Sequence, residues 1–198
     1  MFNGIVYNQG IIKNIKKSPK YVKGSLVIEV SSNINFKKSD IGESVSCDGV
    51  CLTLIKILSK SFLFYLSKET LKRSNFNNVK IGKKINIEKP LFHGKKISGH
   101  YIQGHVDTTS VVKSIKIIDK SWIVRFNLNK RYKKLLVEKG SISINGVSLT
   151  ISKLRSDFFE ISIIPHTLKL TNLVNLNKGD SVNIEFDMIG KYLNNIYN

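Results

Sequence analysis

The chain writes nearly the same eleven residues twice. Residues 44–54 read SVSCDGVCLTL and residues 141–151 read SISINGVSLTI, a constant offset of 97 positions with six identities. Two further blocks keep that offset: ETLK at 69–72 returns as HTLK at 166–169, and GKKINIE at 82–88 returns as GDSVNIE at 179–185. The N-terminus has an echo too, with Gly4, Val6 and Gln9 opposite Gly104, Val106 and Thr109 at an offset of 100. A period this long is not that of a solenoid repeat and fits duplication of a whole domain. The 198 residues, 41% of them hydrophobic, suffice for two small cores. The repeat places the boundary near residues 98–100, giving expected domains 1–99 and 100–187 and a tail 188–198.

Within each copy the local pattern is that of strands. Asp48-Gly49 and Asn145-Gly146 are strong two-residue hairpin signals flanked by alternating residues. Such a hairpin pairs Cys47 with Val50 and Ser46 with Cys51. The two cysteines then point to opposite faces, a poor geometry for a disulfide, and no partners stand at zinc-site spacing. One face carries Ser44, Ser46, Cys51 and Thr53, repeated as Ser141, Ser143, Ser148 and Thr150; the other is apolar in both copies. In a Lys-rich chain a solvated face should have collected Lys and Asn, so the small hydroxyls point to a lined pocket. Further strands are expected over 25–30, 61–66, 84–88, 122–128, 158–164 and 182–186. Short helices are expected over 130–138 and after Glu69 and His166. About six strands per half is the pattern of a small closed barrel or sandwich, an all-β fold.

The net charge of +18 invites a nucleic-acid reading. The lysines, however, are spread along the whole chain. Together with abundant Asn and Ile they follow the codon bias of an AT-rich genome, and no zinc-finger spacing, RNP-type aromatic run or helix-turn-helix signature is present. Residues 1–10 have neither a basic segment nor an apolar run, and no stretch approaches the ~20 apolar residues of a membrane span. The expectation is a cytoplasmic protein with no nucleic-acid or membrane partner.

The ordered blocks MFNGIV, DGVCLT, SGHYIQGHVD, KGSISINGVSLT, IIPHTLKLTNL and GDSVNIEFDMIGKY resemble the riboflavin synthases over essentially the whole chain. The resemblance implies two similar six-stranded Greek-key β-barrels and a short C-terminal helix from about Met188 to Tyr197. It implies a homotrimer with active sites between barrels of neighbouring subunits. It also implies a transferase of the last step of riboflavin biosynthesis, which dismutates two molecules of 6,7-dimethyl-8-ribityllumazine by four-carbon transfer, without cofactor or metal. Two copies of one substrate call for two copies of one pocket.

Carried over residue by residue, the resemblance places a first pocket around Gly4, Ile5 and Val6, around Ser44, Cys51, Leu52 and Thr53, and along Tyr65, Leu66, Ser67, Lys68, Glu69 and Thr70. A second pocket is lined by Gly104, His105 and Val106, by Lys139, by Ser148, Leu149 and Thr150, and by Ile164, Pro165, His166 and Thr167. Thr70 and Thr167 read equally as contacts for the ribityl chain or as helix N-caps. His105, near Ser148 and Asp187 in the family pattern, is the expected proton carrier, because imidazole titrates near neutral pH. Asp187 is an acid/base or orienting group and Cys51 a nucleophile or pocket thiol; Phe2 is either a core aromatic or, as the resemblance favours, a lid on the ligand ring. His100, five residues before His105, reads as structural or supporting. Asn3, Tyr7 and Thr108 depart from the family pattern. Two alternatives stay open: a lumazine or flavin carrier without turnover, and a basic barrel binding single-stranded nucleic acid, which predicts aromatic residues on the polar faces.

Overall fold

The computed structural model describes residues 1–17 and 24–197. The first half holds β1 (Asn8–Lys17), β2 (Leu26–Ser32), β3 (Ser44–Cys47), β4 (Val50–Ile57), β5 (Ser61–Leu66) and β6 (Lys84–Glu88). The second holds β7 (Thr108–Ile118), β8 (Ser121–Asn127), β9 (Ser141–Ile144), β10 (Val147–Leu154), β11 (Phe158–Ile163) and β12 (Ser181–Phe186). Each set closes into an antiparallel barrel of the same topology, β1-β2-β5-β4-β3-β6 and β7-β8-β11-β10-β9-β12. Among the described residues three short α-helices accompany them: α1 (Lys68–Arg73), α2 (Pro165–Leu170) and α3 (Met188–Ile196). No helix among the described residues is long and apolar enough to cross a membrane.

Sequence chemistry explains the closure. The Asp48-Gly49 and Asn145-Gly146 turns have positive φ at both positions, as a type I′ hairpin requires. The expected register follows, with Ser46 opposite Cys51 and Cys47 opposite Val50. Bulges between Ile12 and Asn14 and between Leu54 and Lys56 recur between Val112 and Ser114 and between Ile151 and Lys153, bending the long strands at equivalent places. Alternation then fills each barrel, with Ile28, Leu54, Phe64 and Ile85 in one core and Val124, Phe126, Ile151 and Ile161 in the other. Residues 130–138, expected as a helix, form a 3-10 turn at Lys130–Leu135 instead. The chain must become extended at Leu136 to reach the turn at Lys139, where φ is +70°.

The two barrels meet about an approximate two-fold axis. Phe2 and Ile102 bond each other's backbones, N–H to O at 2.7 and 3.2 Å, and the hairpin turns stand back to back, so that a Cβ on Gly49 would lie 2.6 Å from the Gly146 nitrogen. Asn86 donates its Nδ2 to the Asn145 carbonyl and Asn183 donates its own to the Asp48 carbonyl, each at 2.9 Å. This seam corrects two expectations. Phe2 is 0% exposed and packed within the seam, so it is not a lid. The polar hairpin face is divided: Ser46 and Ser143 are buried between the barrels, Ser44, Thr53 and Thr150 are exposed, and Cys51 and Ser148 are half-buried.

Candidate active site

Cys51 and Ser148 stand one residue into β4 and β10, directly after the tight turns. Their backbone N–H groups point out of the hairpin, and each is met by a segment from the opposite half. Ser148 donates its N–H to the Gly4 carbonyl at 2.9 Å, and Cys51 donates its own to the Gly104 carbonyl at 2.8 Å. The approach demands glycine. Both have φ above +70°, and a Cβ on Gly104 would lie 2.8 Å from the Cys51 nitrogen and one on Gly4 2.7 Å from the Ser148 nitrogen. The next apolar residue completes the exchange: Val6 is buried in the second barrel's core and Val106 in the first's.

This crossing corrects the composition of both pockets. Gly4, Ile5 and Val6 belong with Ser148, Leu149 and Thr150, while Gly104, His105 and Val106 belong with Cys51 and Thr70. The first pocket is a cavity of about 510 Å³ lined by Val50, Cys51, Glu69, Thr70, Arg73, Ser74, Gly104, His105, Val106, Asp107 and Tyr132. Leu52 and Leu66 turn their side chains into the barrel core and can offer only backbone. Tyr65 pairs with Thr53 across β4 and β5. Lys68 and Glu69 are exposed at the start of α1. In the second half Ile164, Pro165 and His166 are exposed where β11 passes into α2, with Thr167 half-buried behind them, and Lys139 is exposed in the turn before β9. A larger cavity, about 660 Å³, opens on the seam beside Lys80, Lys83, Lys84 and Asn172 and contains none of the expected site residues.

The capping alternative for the two threonines fails. Ser67 caps α1, its side chain accepting from the Thr70 N–H at 3.0 Å, and α2 begins at Pro165, preceded by Ile164, which offers no side-chain cap. Thr70 is free to line the cavity, its Oγ1 2.9 Å from Ser67 Oγ.

The histidine beside Ser148 is His100 rather than His105. His100 Nδ1 lies 2.7 Å from Ser148 Oγ, and the ring is 9% exposed. Gly99 allows this, since a Cβ there would lie 2.8 Å from the Ser148 Cβ. Burial pushes the His100 pKa below the ordinary value, and the charge of Asp187 opposes that in part. Asp187 also caps α3, accepting from the Ile189 N–H at 3.0 Å. His105 stays exposed at the rim of the Cys51 cavity. Cys47 is fully buried and burial pushes its thiol well up, leaving it inert.

Two carboxylates hold the crossing segments. Glu88 accepts from the N–H groups of Asn3 and Gly4 at 2.7 and 3.0 Å; Glu185, its repeat equivalent, accepts from Gln103 and Gly104 at 2.7 and 2.8 Å. Burial raises both pKa values, that of Glu88 to about 7. The repeated Asn-Ile-Glu of β6 and β12 carried this signal in the sequence. Arg73, Asp107 and Tyr132 had no repeat to mark them.

The geometry is of two crossing segments, each seated on the other barrel, with a cavity where the second half's segment meets Cys51. A family model, the Lumazine binding domain, matches twice, over residues 3–90 and 103–187. The riboflavin synthase of Photobacterium leiognathi is 36% identical over 193 residues, covering 98% of this chain and 87% of its own length. That of Bacillus subtilis (strain 168) is 35% identical over 195 residues, covering 98% and 88%. The chain belongs to the riboflavin synthase family. Among solved structures, LumP complexed with riboflavin matches with a TM-score of 0.82 at 25% identity, over 94% of this chain and 99% of that one. LumP complexed with 6,7-dimethyl-8-(1'-D-ribityl) lumazine matches with a TM-score of 0.79 at 26% identity, over 93% and 98%. The duplicated barrel of this riboflavin synthase family member thus coincides with two family domains.

Proposed function

We propose that the chain is a riboflavin synthase. It takes two molecules of 6,7-dimethyl-8-ribityllumazine and moves a four-carbon unit from one to the other, giving riboflavin and 5-amino-6-ribitylamino-pyrimidinedione. The observation that carries the reading is the pair of crossed segments: equivalent in backbone, they gather different reactive groups, Cys51 with His105 in one half and Ser148 with His100 in the other. The C7 methyl of the lumazine is acidic because its anion delocalises into the ring, so the protein's tasks are to align two planar molecules and to manage protons. His100, whose Nδ1 stands within hydrogen-bond distance of Ser148 Oγ, can exchange a proton with that hydroxyl and make Ser148 a poised donor or nucleophile. Asp187, whose charge favours the imidazolium form, stabilises the ring once it takes that proton. Backbone groups of β4, β5, β10 and β11 can read the uracil-like edge, and Thr70 and Thr167 the ribityl hydroxyls.

We further propose that the working form is a homotrimer in the cytoplasm. On α3, Ile189, Tyr192, Leu193 and Ile196 follow the spacing of one helical face and are 50–71% exposed, an apolar stripe suited to copies of the same chain. Both cysteines are free, as a reducing compartment allows.

The test is direct. Protein incubated with 6,7-dimethyl-8-ribityllumazine should produce riboflavin absorbance and fluorescence with no added metal or cofactor, and sediment as three copies. Binding without turnover would sink the synthase reading and leave a carrier.

A further inference from the structure

The first-barrel pocket has a support that reaches it from helix α3. Asp107, two residues after His105 and a wall of the Cys51 cavity, accepts from the Phe186 N–H at 2.8 Å and from Lys191 Nζ at 3.0 Å. Lys191 lies on α3, in the turn after its Asp187 cap. The ion pair is half-buried, with about a quarter of each side chain exposed. Helix α3 also rests on the 3-10 turn at Lys130–Leu135, where a Cβ on Gly190 would lie 3.4 Å from the Leu135 carbonyl. That turn supplies Tyr132, another wall of the same cavity, whose ring packs 5.1 Å from that of Phe186. At the equivalent place in the first half stands Tyr7, which is 69% exposed and carries no carboxylate to bond a helix.

We infer that Asp107 and Lys191 are positioning residues through which helix α3 holds the His105 segment over Cys51, so that the first-barrel pocket depends on this tether, whereas the Ser148 site meets α3 only through its cap, Asp187. A short helix with its apolar stripe exposed is weakly held in the single chain. Covering that stripe with further copies would fix α3, and through Lys191 would fix the wall of one pocket. The inference about assembly rests on the proposed trimer; the tether itself does not.

Cys51 reports the tether without any turnover assay. It is half-buried beneath Gly104, and Cys47 is fully buried, so a disulfide reagent such as dithionitrobenzoate should modify one thiol slowly. Lys191→Met should speed that modification by about tenfold, the scale of one lost charge-assisted hydrogen bond, and Lys191→Arg should restore the slow rate. Riboflavin titration of Lys191→Met, resolved into two sites, should show one weakened by a similar factor and the other within about twofold of wild type. An unchanged thiol rate, or equal weakening of both sites, would overturn the inference. Loss of riboflavin formation in the wild type would remove the synthase reading and leave the thiol result intact.

Discussion

The two barrels share a fold down to their bulges and differ in the few side chains that face the crossing segments. Cys51 stands opposite Ser148, Ile5 opposite His105 and Tyr7 opposite Asp107. Symmetry is kept where backbone does the work: the glycine crossings, the Glu88 and Glu185 clamps and the asparagine seam recur in both halves. It is broken at the walls of the Cys51 cavity, where Cys51, His105 and Asp107 have Ser148, Ile5 and Tyr7 as their counterparts. Duplication therefore supplies two places for one kind of molecule, and divergence makes those places chemically unequal.

The largest effects should come from breaking the unequal part. Ser148→Ala and His100→Ala should each lower the rate of riboflavin formation by about 10²–10³-fold, within the range for a positioned proton-transfer group. The double variant should be no slower than the worse single one, because the two act as one unit. His105→Ala acts in the other pocket, so its effect should multiply with that of Ser148→Ala. Multiplying effects of His100→Ala and Ser148→Ala, in single-turnover kinetics, would dissolve the pairing seen here.

The next effect tests the shared part. Gly104→Ala and Gly4→Ala should each destabilise the protein by about 2–4 kcal/mol, measured by urea denaturation, since each puts a Cβ into neighbouring backbone at a positive φ. Equal losses would show that the barrels are equivalent in their crossings; a loss at one only would show that one crossing merely rests on the surface.

These glycines also show how far the sequence could be read. Hairpin register, strand positions and the apolar faces were legible, because turn chemistry and period-two alternation act within a few residues. The same is true of the repeat itself, and hence of two barrels. Which barrel each opening segment serves was not legible. Val6 and Val106 sit in equivalent slots, so alternation around Gly4 and Gly104 reads the same whether the segment folds back or crosses over. The choice between His100 and His105 fell with it. Between them the chain makes only an isolated bridge at Ile102 and a glycine turn at Gly104, so strand alternation does not say which ring faces Ser148. The burial of Ser46 and Ser143 was hidden for a related reason: a face that packs on its own duplicate looks, in one copy, like a pocket.

Glu88 makes the comparison sensitive to pH. Its folded pKa of about 7 is above the ordinary 4.5, so the stability it contributes is present below 4.5 and is lost as pH rises through 7. The loss approaches about 3 kcal/mol if the whole shift is realised. Wild-type stability, followed by urea midpoint, should therefore fall between pH 5 and pH 8 more than that of Glu88→Gln. Glu185 is raised in the same direction but has the Lys191 charge to offset burial, so Glu185→Gln should flatten the profile less. Parallel profiles for all three proteins would mean that neither clamp titrates in this range.

The smallest effect separates a ligand contact from a structural one, and it differs between the barrels. In the first, Ser67 caps α1 and Thr70 is left to the cavity. Thr70→Val should then raise the KM for lumazine by about 2–10-fold, one neutral hydrogen bond, with the melting temperature unchanged. Ser67→Ala should do the reverse, costing about 1 kcal/mol of stability. In the second barrel no side chain caps α2 and Pro165 presets its first turn. Thr167→Val should therefore raise KM as Thr70→Val does, while Ile164→Ala leaves helix capping untouched because there is no cap to lose. If Thr70→Val lowers the melting temperature as far as Ser67→Ala, then the Ser67 Oγ to Thr70 Oγ1 contact belongs to the helix, and the ribityl chain is held by backbone alone in that barrel.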